Sequence, residues 1–331
     1  MRPAIWILFL LIAINAACTG QSGQPAAIRP AGDGGDSVRQ PLAAGSRRYL
    51  VEQSLRLTNH GPGMPDKHNL WLALVSDQPP YQELIASDIQ PAGYTVVTDE
   101  YGNRYAEFDL TGLAPGESAR ISAAYTVSAA ALTYILEPCE GSLPAVDISP
   151  ELHIESANPQ ITTLAAALGQ GTEDVCRQMR AAYDYVAGSL VYSYNGRNWG
   201  AQAALGEMGA DCTEYASLLA ALARASQVPA RYIEGVLADS EAETGSPINE
   251  HAWLELYLPG SGWVPVDPTL GRYPQNRERY FGGASGDRII VSRGRSPSTL
   301  RGASYFSHLY WPGNVSDIQV EDFGFTITRS D

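Results

Sequence analysis

The stretch that most constrains this chain runs from Gly209 to Ile233, G-A-D-C-T-E-Y-A-S-L-L-A-A-L-A-R-A-S-Q-V-P-A-R-Y-I. Leu218, Leu219 and Leu222, with Tyr215 and Ala223, recur at helical spacing and predict a helix with one face on a core. Asp211 is a good N-cap residue, Thr213 and Glu214 suit the first turn, and Val228-Pro229 ends the run. Cys212 then lies at the helix start, where backbone N–H groups are unpaired and the helix field is positive. That field favours a thiolate over a thiol. An inert cysteine sits more often mid-helix on the apolar face, so position alone makes Cys212 a candidate nucleophile.

Two later segments bear on that candidacy. N-E-H-A-W-L-E-L-Y-L is strand-like and carries His251, 39 residues after Cys212. G-W-V-P-V-D-P-T carries Asp267, 16 residues further on, and P-G-S-G between them reads as a turn joining two strands. A thiol nucleophile needs a base to take its proton, and the base needs a third group to fix its tautomer. Two adjacent strands packed over the start of one helix deliver such a set. Taken singly, each residue has a plain structural alternative: a buried thiol, or a hydrogen-bonded core histidine.

Order and spacing of these blocks resemble the transglutaminase-like family, a branch of the papain-like cysteine enzymes. The matching residues are G-A-D-C-T-E-Y-A, V-P-A-R-Y, H-A-W-L-E and G-W-V-P-V-D-P-T, and the resemblance covers roughly residues 157–295. It implies an α+β fold with a papain-like core, in which the helix bearing the nucleophile packs on an antiparallel sheet. It further implies Cys212 as nucleophile, His251 as base and Asp267 as orienter. Trp199, 13 residues before Cys212, is either a wall or oxyanion donor of the acyl site or a packed loop tryptophan. No C-x-x-C pair, clustered His/Cys set or glycine-rich phosphate loop points to a metal or cofactor.

The chain of 331 residues has room for two domains of ordinary size. Its formal net charge of −14 argues against a nucleic-acid partner and against electrostatic attachment to anionic lipid. Residues 1–17 read as a signal peptide: a positive end at Arg2, then an apolar run from Ala4 to Ile14 too short for a typical membrane-spanning helix. Asn15-Ala16-Ala17-Cys18 follows, similar to the lipobox of bacterial lipoproteins, although Asn15 departs from the usual aliphatic residue. The expectation is an exported, membrane-anchored lipoprotein of the bacterial cell envelope, lipidated at Cys18; a plainly cleaved signal is the alternative. Residues 18–45 form a flexible tether rich in Gly, Pro, Ser, Gln and Ala.

Of the four cysteines, Cys139 and Cys176 remain once Cys18 and Cys212 are set aside. Outside the cytoplasm such a pair tends to oxidise. A disulfide there would tie the end of the first domain to the first long helix of the second; two separate buried thiols also fit.

Residues 46–156 read as a β-sandwich domain. Y-T-V-V-T-D-E-Y-G-N-R-Y-A-E-F predicts a hairpin turning at Asp99 to Asn103. The stretch resembles the β domain placed before the catalytic core in many bacterial transglutaminase-like proteins, carried by N-H-G-P-G, L-W-L-A-L and the hairpin just quoted. Residues 157–331 read as the catalytic domain. In it Thr172 caps a long helix, the acidic run 238–250 is either solvated surface or a rim of the cleft, D-R-I-I-V-S adds a strand and I-Q-V-E-D-F-G-F-T-I-T closes the sheet. The function implied is thiol acyl chemistry on peptide or glutamine-type amides through a thioester, with hydrolysis (peptidase or amidase) preferred. A protein cross-linking acyltransferase and a non-catalytic peptide-binding scaffold are the alternatives. The partners implied are a peptide or protein substrate and a membrane reached through the lipid.

Overall fold

A computed structural model of the chain describes residues 38–194, 200–206, 209–238 and 250–330, which fall within one compact unit, Asp36–Asp331. Its first strands are β1 (Leu42–Asn59), β2 (Pro65–Ala73), β3 (Gln82–Gln90), β4 (Thr95–Thr98), β5 (Arg104–Asp109) and β6 (Ser118–Thr133). Alternation decides which faces are covered. In β1, Tyr49, Val51, Leu55 and Leu57 turn inward, and in β6 Ile121, Ala123, Tyr125, Val127 and Ala129 do the same. The predicted hairpin is β4–β5. Asp99 Oδ1 accepts the Tyr101 and Asn103 N–H groups and so closes the turn.

Helices follow: α1 (Pro159–Leu168), α2 (Val175–Ser189), the short α3 (Ala201–Ala204) and α4 (Cys212–Ala225). The N-cap of α2 is Asp174 rather than Thr172. Asp174 accepts the Arg177 N–H, while the Thr172 hydroxyl accepts the Asp174 N–H one step earlier. The α4 helix is enclosed on every side from Glu214 to Arg224, not on one face only. A helix with so many alanines and leucines has little polar face to give to solvent.

The remaining strands are β7 (Ala230–Leu237), β8 (Glu250–Leu258), β9 (Gly262–Val266), β10 (Gly283–Ser285), β11 (Arg288–Arg293), β12 (Phe306–Pro312) and β13 (Ile318–Arg329). Among the described residues the strands form three antiparallel sheets. The sheet beside the helices has the order β11-β7-β8-β9, and α4 packs on β7 and β8. The other two, β10-β6-β1-β13 with β3 beside β6, and β12-β2-β5-β4, build the sandwich. One core fills the space between the helices and β7–β9; the other fills the sandwich.

The pairings cross the boundary expected at residue 156. The strand expected to close the catalytic sheet, β13, instead runs along β1 from Tyr49↔Arg329 to Asn59↔Ile318, and β12 runs along β2. The reason is backbone supply. The long β1 strand has β6 on one side, and its other edge needs a partner for its N–H and C=O groups. The sandwich is thus completed by the last strands of the chain, and the helices and four-stranded sheet are an insertion between its early and late strands.

Candidate active site

Cys212 opens α4. Asp211 accepts the Thr213 N–H, and Glu214 Oε2 accepts the Asp211 N–H at 3.1 Å, so a capping box fixes the helix start. The Cys212 sulfur takes the backbone N–H of Ala252, the residue after His251 in β8. The sulfur therefore lies beside the strand that carries the histidine.

His251 and Asp267 meet. His251 Nε2 lies 2.8 Å from Asp267 Oδ2, and neither side chain is exposed. The turn Pro259–Gly262 brings β9 back along β8, with Leu254 opposite Val266, so Asp267 emerges one step past β9 and next to His251. Asp267 is held on both sides. Its Oδ1 accepts the Leu270 N–H at 2.9 Å and its own N–H donates to Tyr280 O at 2.9 Å. Burial pushes its acidity constant up, but the His251 and Arg288 charges and the hydrogen bonds outweigh that and hold it below the usual carboxylate range. An ionised carboxylate only accepts hydrogen bonds, so Nε2 carries the proton. That leaves Nδ1 as the ring nitrogen not held by Asp267; it is buried and has no hydrogen-bond partner among the described residues. The ring stacks on Trp253, centroids 5.9 Å apart.

The helix field was expected to favour the Cys212 thiolate. The net direction is the opposite. Cys212 is partly exposed as a residue, yet burial around the sulfur pushes the thiol up, the Asp211 charge adds to this, and the Ala252 N–H opposes it. The cap that defines the helix start is itself an anion, and it offsets the field it sits in.

Sequence reasoning missed Arg288. Its Nη2 donates to Asp267 Oδ2 at 2.8 Å, and its guanidinium lies over the rings of Trp253 and Tyr280 at 5.4 and 5.0 Å. The available signal was an arginine opening the otherwise apolar strand R-I-I-V. Tyr192 and Arg272 were missed too. Tyr192 bridges to Ala210 just before the helix start, and Arg272 lies 4.4 Å over its ring. Glu234 and Glu250 form a third omission. Burial, and the charge of Glu234 next, raise Glu250 to about 8 one residue before His251.

Cys139 and Cys176 are bonded, with Cα atoms 6.0 Å apart, and the bond joins the segment after β6 to the first turn of α2. With Asp174 they are a group of three donors within 4.8 Å of one another, but sulfurs bonded to each other are not thiolate ligands. Trp199, Cys18 and most of the acidic run, residues 239–249, lie outside the described residues.

Comparisons with known proteins bear on the fold of this region. Residues 162–268 match the model of the transglutaminase-like superfamily. The chain carries a transglutaminase-like core. A crystal structure of a candidate cysteine protease from Cytophaga hutchinsonii has the same fold, with a TM-score of 0.64 and 17% identity over 88% of this chain and 93% of that one. The uncharacterized protein YebA of Bacillus subtilis is 27% identical over 135 residues, 35% of this chain and 18% of its own length. A protein-glutamine gamma-glutamyltransferase of Pseudomonas aeruginosa is 30% identical over 105 residues, 30% of this chain and 16% of its own length. The matched region thus spans less than a fifth of either curated relative.

Proposed function

We propose that this protein is a thiol acyl enzyme of the cell envelope that hydrolyses peptide or glutamine-type amides through Cys212, His251 and Asp267. The observation that carries this reading is the buried 2.8 Å contact of His251 Nε2 with Asp267 Oδ2, with a helix-start thiol that takes the N–H of the next residue, Ala252. Because Asp267 occupies Nε2, the base is Nδ1. Burial pushes the Cys212 thiol up, so its proton moves as the sulfur attacks. The Cys212 Sγ–carbon bond forms, the carbonyl becomes an oxyanion on helix-start N–H groups, and Nδ1 takes the thiol proton. Nδ1–H then protonates the leaving amine, the C–N bond breaks, and a thioester remains. Water, deprotonated by Nδ1, releases the acid and the thiol.

Transfer of the same thioester to a lysine amine is the second reading, and the name of the Pseudomonas aeruginosa relative favours it. A scaffold that holds a peptide without turnover is the third. The leader ending at Ala17-Cys18 supports lipidation at Cys18 and membrane attachment; Ala16 or Ala17 as the mature N-terminus would sink that part.

Incubation with envelope proteins and a tagged primary amine, read by mass spectrometry, separates the readings. New peptide termini or deamidated glutamines that vanish in Cys212→Ala support hydrolysis. Cys212-dependent amine incorporation in their place supports transfer, and neither product supports the scaffold.

A further inference from the structure

The sandwich encloses a pair of histidines that the acyl chemistry does not use. In the β2–β12 ladder His68 lies opposite Tyr310, and Leu70 lies opposite His308. Residues two apart share a face of a strand, so His68, Leu70, His308 and Tyr310 all point the same way. Leu70 is fully buried in the sandwich core, which fixes that face as the inner one. The two imidazole centroids are 5.7 Å apart with the rings inclined at 62°.

Their nitrogens are unsatisfied. His68 is 0% exposed, and neither of its ring nitrogens has a hydrogen-bond partner among the described residues; His308 Nδ1 is buried and unpartnered as well. A neutral imidazole carries one N–H donor and one lone pair, and interiors rarely leave such groups unmatched. Each neutral ring therefore has a nitrogen lone pair to offer.

The spacing suits a shared ion. An ion bound about 2.0–2.1 Å from an imidazole nitrogen, in the ring plane, is about 3.2 Å from the ring centroid. Two rings on one such ion are then about 5.2 Å apart at a tetrahedral angle and about 6.4 Å apart when opposed. The observed 5.7 Å lies between these. We infer that His68 and His308 form a two-imidazole site for a divalent transition-metal ion of the zinc class. The donors are imidazole nitrogens, which suit zinc-class ions better than calcium or magnesium. Access is short: β12 is the terminal strand of its sheet, and His308 is only half-buried.

The test titrates zinc into the full chain carrying Cys212→Ser, with Cys18→Ser added so that no thiol outside the disulfide competes for the ion. Calorimetry should show one equivalent bound, and zinc should raise the melting temperature. His308→Ala, at the half-buried position, should weaken binding by at least ~10-fold and remove the melting shift, and His68→Gln should do the same. Ring-nitrogen NMR of the Cys18→Ser, Cys212→Ser protein, which needs no histidine variant to fold, should show zinc moving the His68 and His308 signals. The inference is overturned if that protein binds no zinc, if both histidine variants bind it undiminished, or if the NMR shifts fall on His251 instead.

Discussion

Arg288 Nη2 and His251 Nε2 meet the same oxygen, Asp267 Oδ2, each at 2.8 Å. One carboxylate oxygen thus holds both the imidazole and a buried cation, while the other is fixed by the Leu270 N–H. Arg288 is a positioning residue: it keeps Asp267 ionised and aimed, and so keeps the proton of His251 on Nε2.

Arg288→Met should therefore destabilise the protein by about 3–5 kcal/mol, the usual cost of breaking a buried pair from one side. The pH dependence follows from the depressed acidity constant of Asp267. Such a group contributes stability that is present above its unfolded value of 3.8 and is lost as pH falls through the folded value. Arg288→Met raises the folded value, so acid unfolding should begin at a higher pH than in the parent. Urea melts at neutral and acid pH check both statements, and an unchanged midpoint in both would show that the contact contributes nothing.

The three site residues should differ in how they fail. Cys212→Ala should abolish turnover, and Cys212→Ser should be nearly as poor because a hydroxyl is far less acidic than a thiol. His251→Ala should remove the proton acceptor. Asp267→Asn should lower the rate by up to ~10⁴, the loss seen for the same change in a serine-protease triad. The assay is release of new termini or ammonia from the substrates found by the amine-tag experiment. Full activity in Asp267→Asn would remove the aspartate from the mechanism.

Resting Cys212 should be a thiol at neutral pH, because burial and Asp211 push it up. Its alkylation rate should climb steadily through the alkaline range with no plateau at neutral pH. A neutral-pH plateau, the mark of a preformed thiolate–imidazolium pair, would overturn this.

What could be read from the sequence was local. The Asp211 cap, the turn at Asp99 to Asn103 and the strand pair around Pro259–Gly262 are each specified by neighbouring residues. What could not be read depends on distant partners. Arg288 acts on a carboxylate 21 positions away, and nothing in R-I-I-V states which acid it will face. The pairing of β13 with β1 joins Tyr49 to Arg329, and an alternating strand carries no label for its sheet. The thiol direction failed for another reason. The helix field was visible in the sequence, but the burial opposing it is a property of packing.

Glu250 gives a stability slope of the opposite sign to Asp267. Its folded value is raised from 4.5 to about 8, by burial and then by Glu234, so the folded state binds the extra proton. Stability from this group is present at low pH and is lost as pH rises from about 4.5 to about 8. Glu250→Gln keeps the shape and removes the titration. The variant should melt at a higher temperature than the parent above pH 8, and the gap should shrink as pH falls towards 4.5. Parallel melting curves across that range would show that the carboxyl is solvated.

The disulfide lends itself to a direct measurement. Cys139 and Cys176 close a loop with a sequence separation of 37, and α2 takes its first turn at that bond. Closing a loop of that length lowers the entropy of the unfolded chain by an amount worth about 4 kcal/mol at 25 °C. Cys139→Ser with Cys176→Ser should lower stability by about that much, less whatever the unfolded chain keeps of its own structure. Neither cysteine lies in the Cys212, His251 and Asp267 set, so the double variant should still react at Cys212 under conditions where it remains folded. The bond itself is checked by alkylating the unfolded, unreduced protein. Cys212 should label while Cys139 and Cys176 do not, and labelling at all three would rule the bridge out. With the bond present but the double variant as stable as the parent, the bond would be an ornament of export rather than a contribution to the fold.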